Sequence, residues 1–125
     1  MDDVYPVGKL PAKDLERILS RFTGEEDDRV LVGPGIGEDA AVISFGNTAL
    51  VAKTDPITFA TDQIGWYAVH INANDIASMG AVPKWFLATL LLPEGTTTPS
   101  LVDTIFTGLN DACADLNVTL CGGHT

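Results

Sequence analysis

Hydrophobic and polar positions change period several times along the 125 residues, and each change marks an element. In "LPAKDLERILSRF", Leu15, Ile18, Leu19 and Phe22 recur at helical spacing, with Pro11 at the start and Gly24 past the end. "EEDD" at 25–28 is a solvated acidic loop, and "RVLV" is a short strand leading into "GPGIGED". Two β-rich runs follow in "AAVISFGNTALVAKTD", divided by Gly46-Asn47, a hairpin signal. A helix is expected over "DQIGWYAVHINANDIASMG", closed by Gly80 and barred from continuing by Pro83. "KWFLATLLL" is a nearly continuous apolar run of strand length, which predicts a central strand covered on at least one face. Leu101, Ile105, Leu109, Cys113 and Leu116 then form one stripe after a Thr98-Pro99 helix start. "VTLC" reads as a last strand, and "GGHT" as its exit into a loop.

The order α, β, β-hairpin, α, β, α, β predicts an α+β fold: one mixed sheet of about four main strands with helices on one face. The other sheet face is left uncovered, and a partner subunit is one way to cover it. Residues 1–28 form an N-terminal helix and acidic loop, and 29–125 the main body, together one structural domain. No repeat, low-complexity tract or internal linker interrupts them.

Composition narrows the function classes. A hydrophobic content of 46% can supply a core at this length. Seventeen acidic residues against seven basic ones give a net charge of −10, which repels phosphate backbones and argues against nucleic acid. An acidic chain that handles phosphates must recruit a divalent cation to do so. No run reaches membrane-spanning length, and the acidic start "MDDVYPVGKL" lacks a signal-peptide apolar core, so cytoplasmic residence is expected. Cys113 and Cys121 lack metal-ligand spacing and read as buried small hydrophobes. His70 reads as structural, and Trp66, Tyr67, Trp85 and Phe86 as core or interface residues.

Three places carry candidate chemistry. The loop "GPGIGED" lacks the lysine of G-x-x-x-x-G-K-S/T and precedes a hairpin, so neither the P-loop nor the dinucleotide fingerprint fits. Its Gly37 and the acidic pair Glu38-Asp39 nevertheless enter an apolar strand. Thr54-Asp55 stands at the end of the hairpin's second strand, before Pro56. In "NANDIASMG", Asp75 lies on a helical stripe otherwise made by Ile71 and Met79, so its carboxylate needs a partner or a cation. Should Asp39, Asp55 and Asp75 converge from their separate elements, they would make an oxygen-rich site for Mg²⁺.

Taken in order, "GIGEDAAVI", "TDPITF", "NANDIASMGAVPKWF" and "GGHT" resemble the N-terminal domain of the AIR synthase-related (PurM-like) superfamily, over roughly Val30 to Thr125. That superfamily includes aminoimidazole ribonucleotide synthetase, thiamine-monophosphate kinase, selenophosphate synthetase and the hydrogenase maturation factor HypE. The resemblance implies a two-domain ATP-dependent enzyme that activates its substrate by phosphoryl transfer. It also implies a homodimer whose sheets pair into a β-barrel. Carried over, Asp39, Asp55 and Asp75 match positions that hold Mg²⁺ against ATP phosphates, with Glu38 and Thr54 as close second candidates. Gly122 and Gly123 match a Gly-Gly turn that lets the backbone approach the nucleotide.

Two departures shape the expectation. His124 stands where kinase-like members carry the Asp of G-G-D-T, which fits a divergent, HypE-like branch better than thiamine-monophosphate kinase. Neither the N-terminal Cys or Sec region of selenophosphate synthetase nor the C-terminal cysteine tail of HypE is present, and the C-terminal ATP domain is absent from the chain. The expected function is therefore the Mg-nucleotide-binding and dimerisation domain of a HypE-like enzyme, inactive alone, acting on a small-molecule or carrier-protein substrate. The alternatives are a non-catalytic dimerisation or regulatory domain, a fragment of a thiamine-monophosphate kinase-like enzyme, and a small-molecule-binding domain unrelated to ATP.

Overall fold

The structure, a computed structural model, describes residues 4–22, 24–58 and 62–125. Phe59, which ends the "TDPITF" motif, and the first three residues of the acidic N-terminus lie outside them. The described elements make an α+β chain divided into two compact units, Met1–Ala52 and Lys53–Thr125.

The first unit is built by local connections. Helix α1 (Ala12–Phe22) starts as Pro11 requires, the N–H groups of Asp14 and Leu15 both donating to the Pro11 carbonyl at 3.0 Å. It buries no residue fully, and Phe22 is 69% exposed. Strands β1 (Val30–Val32), β2 (Ala41–Phe45) and β3 (Thr48–Ala52) form an antiparallel sheet in chain order. The hairpin pairs Phe45 with Thr48, and Gly46 takes the positive φ of 69° that this tight connection needs.

The second unit contains a βαβ arrangement and a packed core. Helix α2 (Ile64–Ser78) ends as Gly80 predicts: Gly80 N–H bonds Ala77 O at 2.9 Å and Ala81 N–H bonds Ile76 O at 3.3 Å, with Gly80 at φ 77°. This is the Schellman closure that a left-handed glycine permits. Helix α3 (Pro99–Asp115) is capped by the Thr98 hydroxyl, which accepts from Leu101 N–H at 3.1 Å, with proline in the first turn. Its end repeats the Schellman pattern on Asn117, at φ 56°, where Val118 N–H reaches Cys113 O at 2.8 Å. Val69, Leu109, Ala112, Cys113 and Val118 form the buried cluster, flanked by Ala68, Phe86, Ala88, Leu90, Ile105 and Leu120. Burying a side chain such as Val69 or Leu109 contributes about 1.5–3 kcal/mol.

Strands β4 (Trp85–Thr89) and β5 (Thr119–His124) pair in parallel on either side of α3 in the sequence. Among the described residues the five strands thus divide between two sheets, which revises the expectation of one sheet of about four strands. The hairpin strands pair with their sequence neighbours, whereas β4 takes its partner across a helix. Among the described residues β4 pairs on one side only, so it is not the central strand that its apolar run suggested. Alternation explains that run: Phe86, Ala88 and Leu90 pack against the core, while Trp85, Leu87 and Leu91 are exposed.

"GGHT" is also revised, because Gly122, Gly123 and His124 belong to β5 and not to a loop. They pair with Leu87, Ala88 and Thr89, and His124 O accepts from Leu90 N–H at 2.8 Å. Gly123 is required by strand contact: a Cβ there would collide with the Ala88 carbonyl oxygen. One residue earlier the register slips, Phe86 opposing Leu120 and Leu87 opposing Gly122, which leaves Cys121 as a bulge residue. Cys121 is consequently exposed, against expectation, while Cys113 is buried as expected and burial pushes its thiol pKa up. Of the four aromatics, Phe86 packs on the core, whereas Trp66, Tyr67 and Trp85 are exposed.

Candidate functional site

Beyond β3 the chain runs through Lys53, Thr54 and Asp55 outside any regular element, and Pro56 biases Asp55 toward an extended backbone. Lys53 and Asp55 turn their side chains toward each other, Nζ lying 4.0 Å from Oδ2. Asn72, in the middle of α2, fastens this segment to the helix. Its Nδ2 donates to the Asp55 backbone carbonyl at 3.2 Å and to Ala68 O at 2.8 Å. One helical turn later comes Asp75.

The result is a charged cluster inside the second unit. Lys53 Nζ lies 2.9 Å from Asp75 Oδ2 and 4.0 Å from Asp55 Oδ2. The Lys53 side chain is 16% exposed, Asp75 29% and Asp55 43%, so the ammonium is partly withdrawn from water beneath the carboxylates. The carboxylate that helical spacing left without a partner has found one in Lys53. Asn72 Oδ1 is buried and accepts no hydrogen bond. Two carboxylates and an orphaned amide oxygen are hard, all-oxygen donors, the chemistry a divalent cation such as Mg²⁺ selects. Among the described residues of this unit, no group of three His, Cys, Asp or Glu side chains is arranged to hold a metal ion.

The remaining predicted residues are placed as follows. Thr54 is exposed between Lys53 and Asp55. Gly37, at φ 81°, completes a turn in which Glu38 N–H bonds Gly35 O at 3.3 Å; exposed Glu38 and Asp39 then lead into buried Ala40 and β2, all within the first unit. His124 is exposed on β5 in register with Thr89. His70 stacks on Trp66 with ring centroids 3.8 Å apart, and its Nε2 is buried without a hydrogen-bond partner.

Lys53 is the residue that sequence reasoning missed. The available signal was its rarity, one of seven basic residues in an acidic chain, placed two positions before a candidate carboxylate.

The model of the AIR synthase related protein N-terminal domain matches residues 37–125, which takes in every candidate above from Gly37 to His124. The chain belongs to the AIR synthase-related family. A selenide, water dikinase of Aeromonas salmonicida is 32% identical over 122 residues, covering 94% of this chain and 35% of the dikinase. A thiamine-monophosphate kinase of Aquifex aeolicus is 29% identical over 97 residues, covering 71% of this chain and 31% of the kinase. This AIR synthase-related chain therefore spans about a third of the length of the curated relatives it matches. Among solved structures, AaThiL complexed with AMPPCP and TMP superposes with a TM-score of 0.70 at 23% identity, covering 93% of this chain and 39% of AaThiL. A thiamine monophosphate kinase from Aquifex aeolicus gives 0.61 at 21% identity, covering 92% of this chain and 38% of that one. At such identities the likeness shows a shared fold.

Proposed function

We propose that this AIR synthase-related domain presents Mg²⁺ to the phosphates of ATP in an enzyme of phosphoryl transfer, and supplies that enzyme's dimer contact. The observation that carries the reading is the meeting of Asp55 and Asp75 at Lys53, within the stretch matched by the family model. Asp39 is the proposed third carboxylate, with Glu38 and Thr54 beside the acidic positions. Asp55 and Asp75 would hold the Mg²⁺, which when bound would supply charge neutralisation for phosphoryl transfer. The chain's own contribution is geometric: Asn72 fixes the Asp55 segment on α2 and thereby sets the spacing of the carboxylates. AMPPCP, an ATP analogue, is bound in the AaThiL structure of the same fold, which supports ATP as the phosphoryl donor here.

Gly37, Gly122, Gly123 and His124 remain proposed nucleotide-side residues of the complete enzyme. The acceptor is proposed to be a small molecule or a carrier-bound group. Selenide and thiamine monophosphate are the acceptors named by relatives, and His124 in place of the G-G-D-T aspartate supports a HypE-like branch. No helix among the described residues is long and apolar enough to cross a membrane, and cytoplasmic residence belongs to the proposal.

Calorimetric titration of the full-length gene product with ATP and Mg²⁺ tests this. Wild type should bind in a Mg²⁺-dependent manner, and Asp75→Ala should lose at least about tenfold in affinity, the equivalent of roughly 1.4 kcal/mol. Undiminished binding by Asp75→Ala would remove the metal assignment. The apolar outer side of the β4–β5 sheet, where Trp85 is 66% and Leu87 69% exposed, supports the dimer contact and serves equally a second reading, a non-catalytic dimerisation domain. Dimerisation without any ATP binding by the full-length protein would select it.

A further inference from the structure

Of the four lysines, Lys9, Lys13 and Lys84 are exposed residues, and Lys53 alone is drawn inward. Its ammonium sits against the two carboxylates assigned above to the metal, 2.9 Å from Asp75 and 4.0 Å from Asp55. We infer that Lys53 is a tethered counter-ion that holds Asp55 and Asp75 together and is exchanged for the divalent cation when the metal binds. The inference rests on the metal reading of the preceding subsection and assigns a role to a residue outside it.

The argument is one of charge and space. Two carboxylates converging on one point repel each other, and a single ammonium between them reduces the local charge from −2 to −1. The Asp75 Oδ2 oxygen is already committed to Lys53 Nζ at hydrogen-bond distance. Mg²⁺ binds carboxylate oxygen at about 2.0–2.1 Å, so a cation on that oxygen would face the ammonium at close range with like charge. The like charges repel across the shared oxygen, which favours withdrawal of the lysine. Its backbone lies just past β3, two residues before Asp55, which keeps the displaced ammonium close to the site where anionic phosphate groups would gather. The exchange lowers the apparent affinity for metal alone by the strength of the Lys53 pairing, because the lysine-bound form is not competent to bind. Lys53 is thus a positioning residue, acting through Asp55 and Asp75.

The test uses the 125-residue chain and Mg²⁺ alone, read by calorimetry and by thermal melting in EDTA or excess Mg²⁺. Lys53→Met should bind Mg²⁺ roughly tenfold tighter than wild type, since it removes a competing positive charge. It should also melt below wild type in EDTA and regain the difference with Mg²⁺, whereas a merely structural lysine would leave the melting deficit unchanged by metal. Lys53→Arg, which keeps the charge, should retain the wild-type affinity. Should Lys53→Met fail to fold, the wild-type chain answers the question: Mg²⁺ should shift the NMR signal of the Lys53 ε-carbon and leave those of Lys9, Lys13 and Lys84 in place.

Equal or weaker Mg²⁺ binding by Lys53→Met, with binding lost in Asp75→Asn, overturns the exchange and leaves the metal reading standing. An unmoved Lys53 signal in wild-type chain saturated with Mg²⁺ overturns it equally. Undiminished binding by Asp75→Asn, or no binding by wild type and Lys53→Met alike, overturns the metal reading and the exchange with it.

Discussion

At Asp27 a surface carboxylate that looked like part of a plain acidic run proves to hold a turn. Arg29 Nη2 donates to Oδ2 at 2.9 Å and Nε to Oδ1 at 3.2 Å, while the Arg29 backbone N–H reaches Oδ1 at 2.9 Å. The Asp27 carbonyl accepts from Val30 N–H at 2.9 Å, so the same turn starts β1. The side-chain hydrogen bonds, followed by the backbone one, lower the Asp27 pKa from 3.8 to about 2. A carboxyl held low in the folded state stabilises fully above pH 3.8, and that contribution is lost as the pH falls through about 2. Carbon NMR of the Asp27 carboxyl should titrate near 2 in wild type and return toward 3.8 in Arg29→Ala. "EEDD" was legible as a loop, but this grip was not, because pairing over two residues depends on the turn's dihedral angles. Lys53 escaped notice for the related reason that its carboxylate partner on α2 is 22 residues away.

At the scale of elements, helix and strand periods were read well, since caps and breakers act over a few residues. Gly80, Pro99 and the Gly46 turn each do in the structure what their chemistry requires. What packs against what was less visible. Helices α2 and α3 approach through Gly65 and Gly108, and a Cβ on Gly65 would strike the Ile105 carbonyl oxygen and lie 2.7 Å from Leu109 N. Both obstacles are backbone and cannot rotate aside, so Gly65→Ala should destabilise by about 1–3 kcal/mol, the range for overpacking. Gly108→Ala, whose Cβ would meet Trp66 N at 3.3 Å, should cost less. Chemical denaturation of the two variants checks the order, and equal stabilities would count against this helix contact. The strand placement of Gly123 is hidden in the sequence for a similar reason: its neighbour, Ala88, comes from another strand.

For the whole molecule, the outer side of the β4–β5 sheet bears on assembly. Trp85 and Leu87 stand exposed there, Cys121 bulges nearby, and the proposed second copy would cover them. Sedimentation equilibrium should find twice the 13.2 kDa chain mass, and Leu87→Asp should return the monomer. A wild-type monomer at all concentrations would remove the dimer from the proposal.

The order of residues settled this protein's α+β character, its helix ends, its hairpin and its family, because those follow from short-range periodicity, turn chemistry and a motif read in sequence. It also marked Asp75 as a carboxylate in need of a partner. The identity of that partner, the division of the strands into two sheets and the pairing of "GGHT" beside β4 came only with the folded chain. Each of them is a contact between segments far apart in sequence, and no local period encodes which segments will meet.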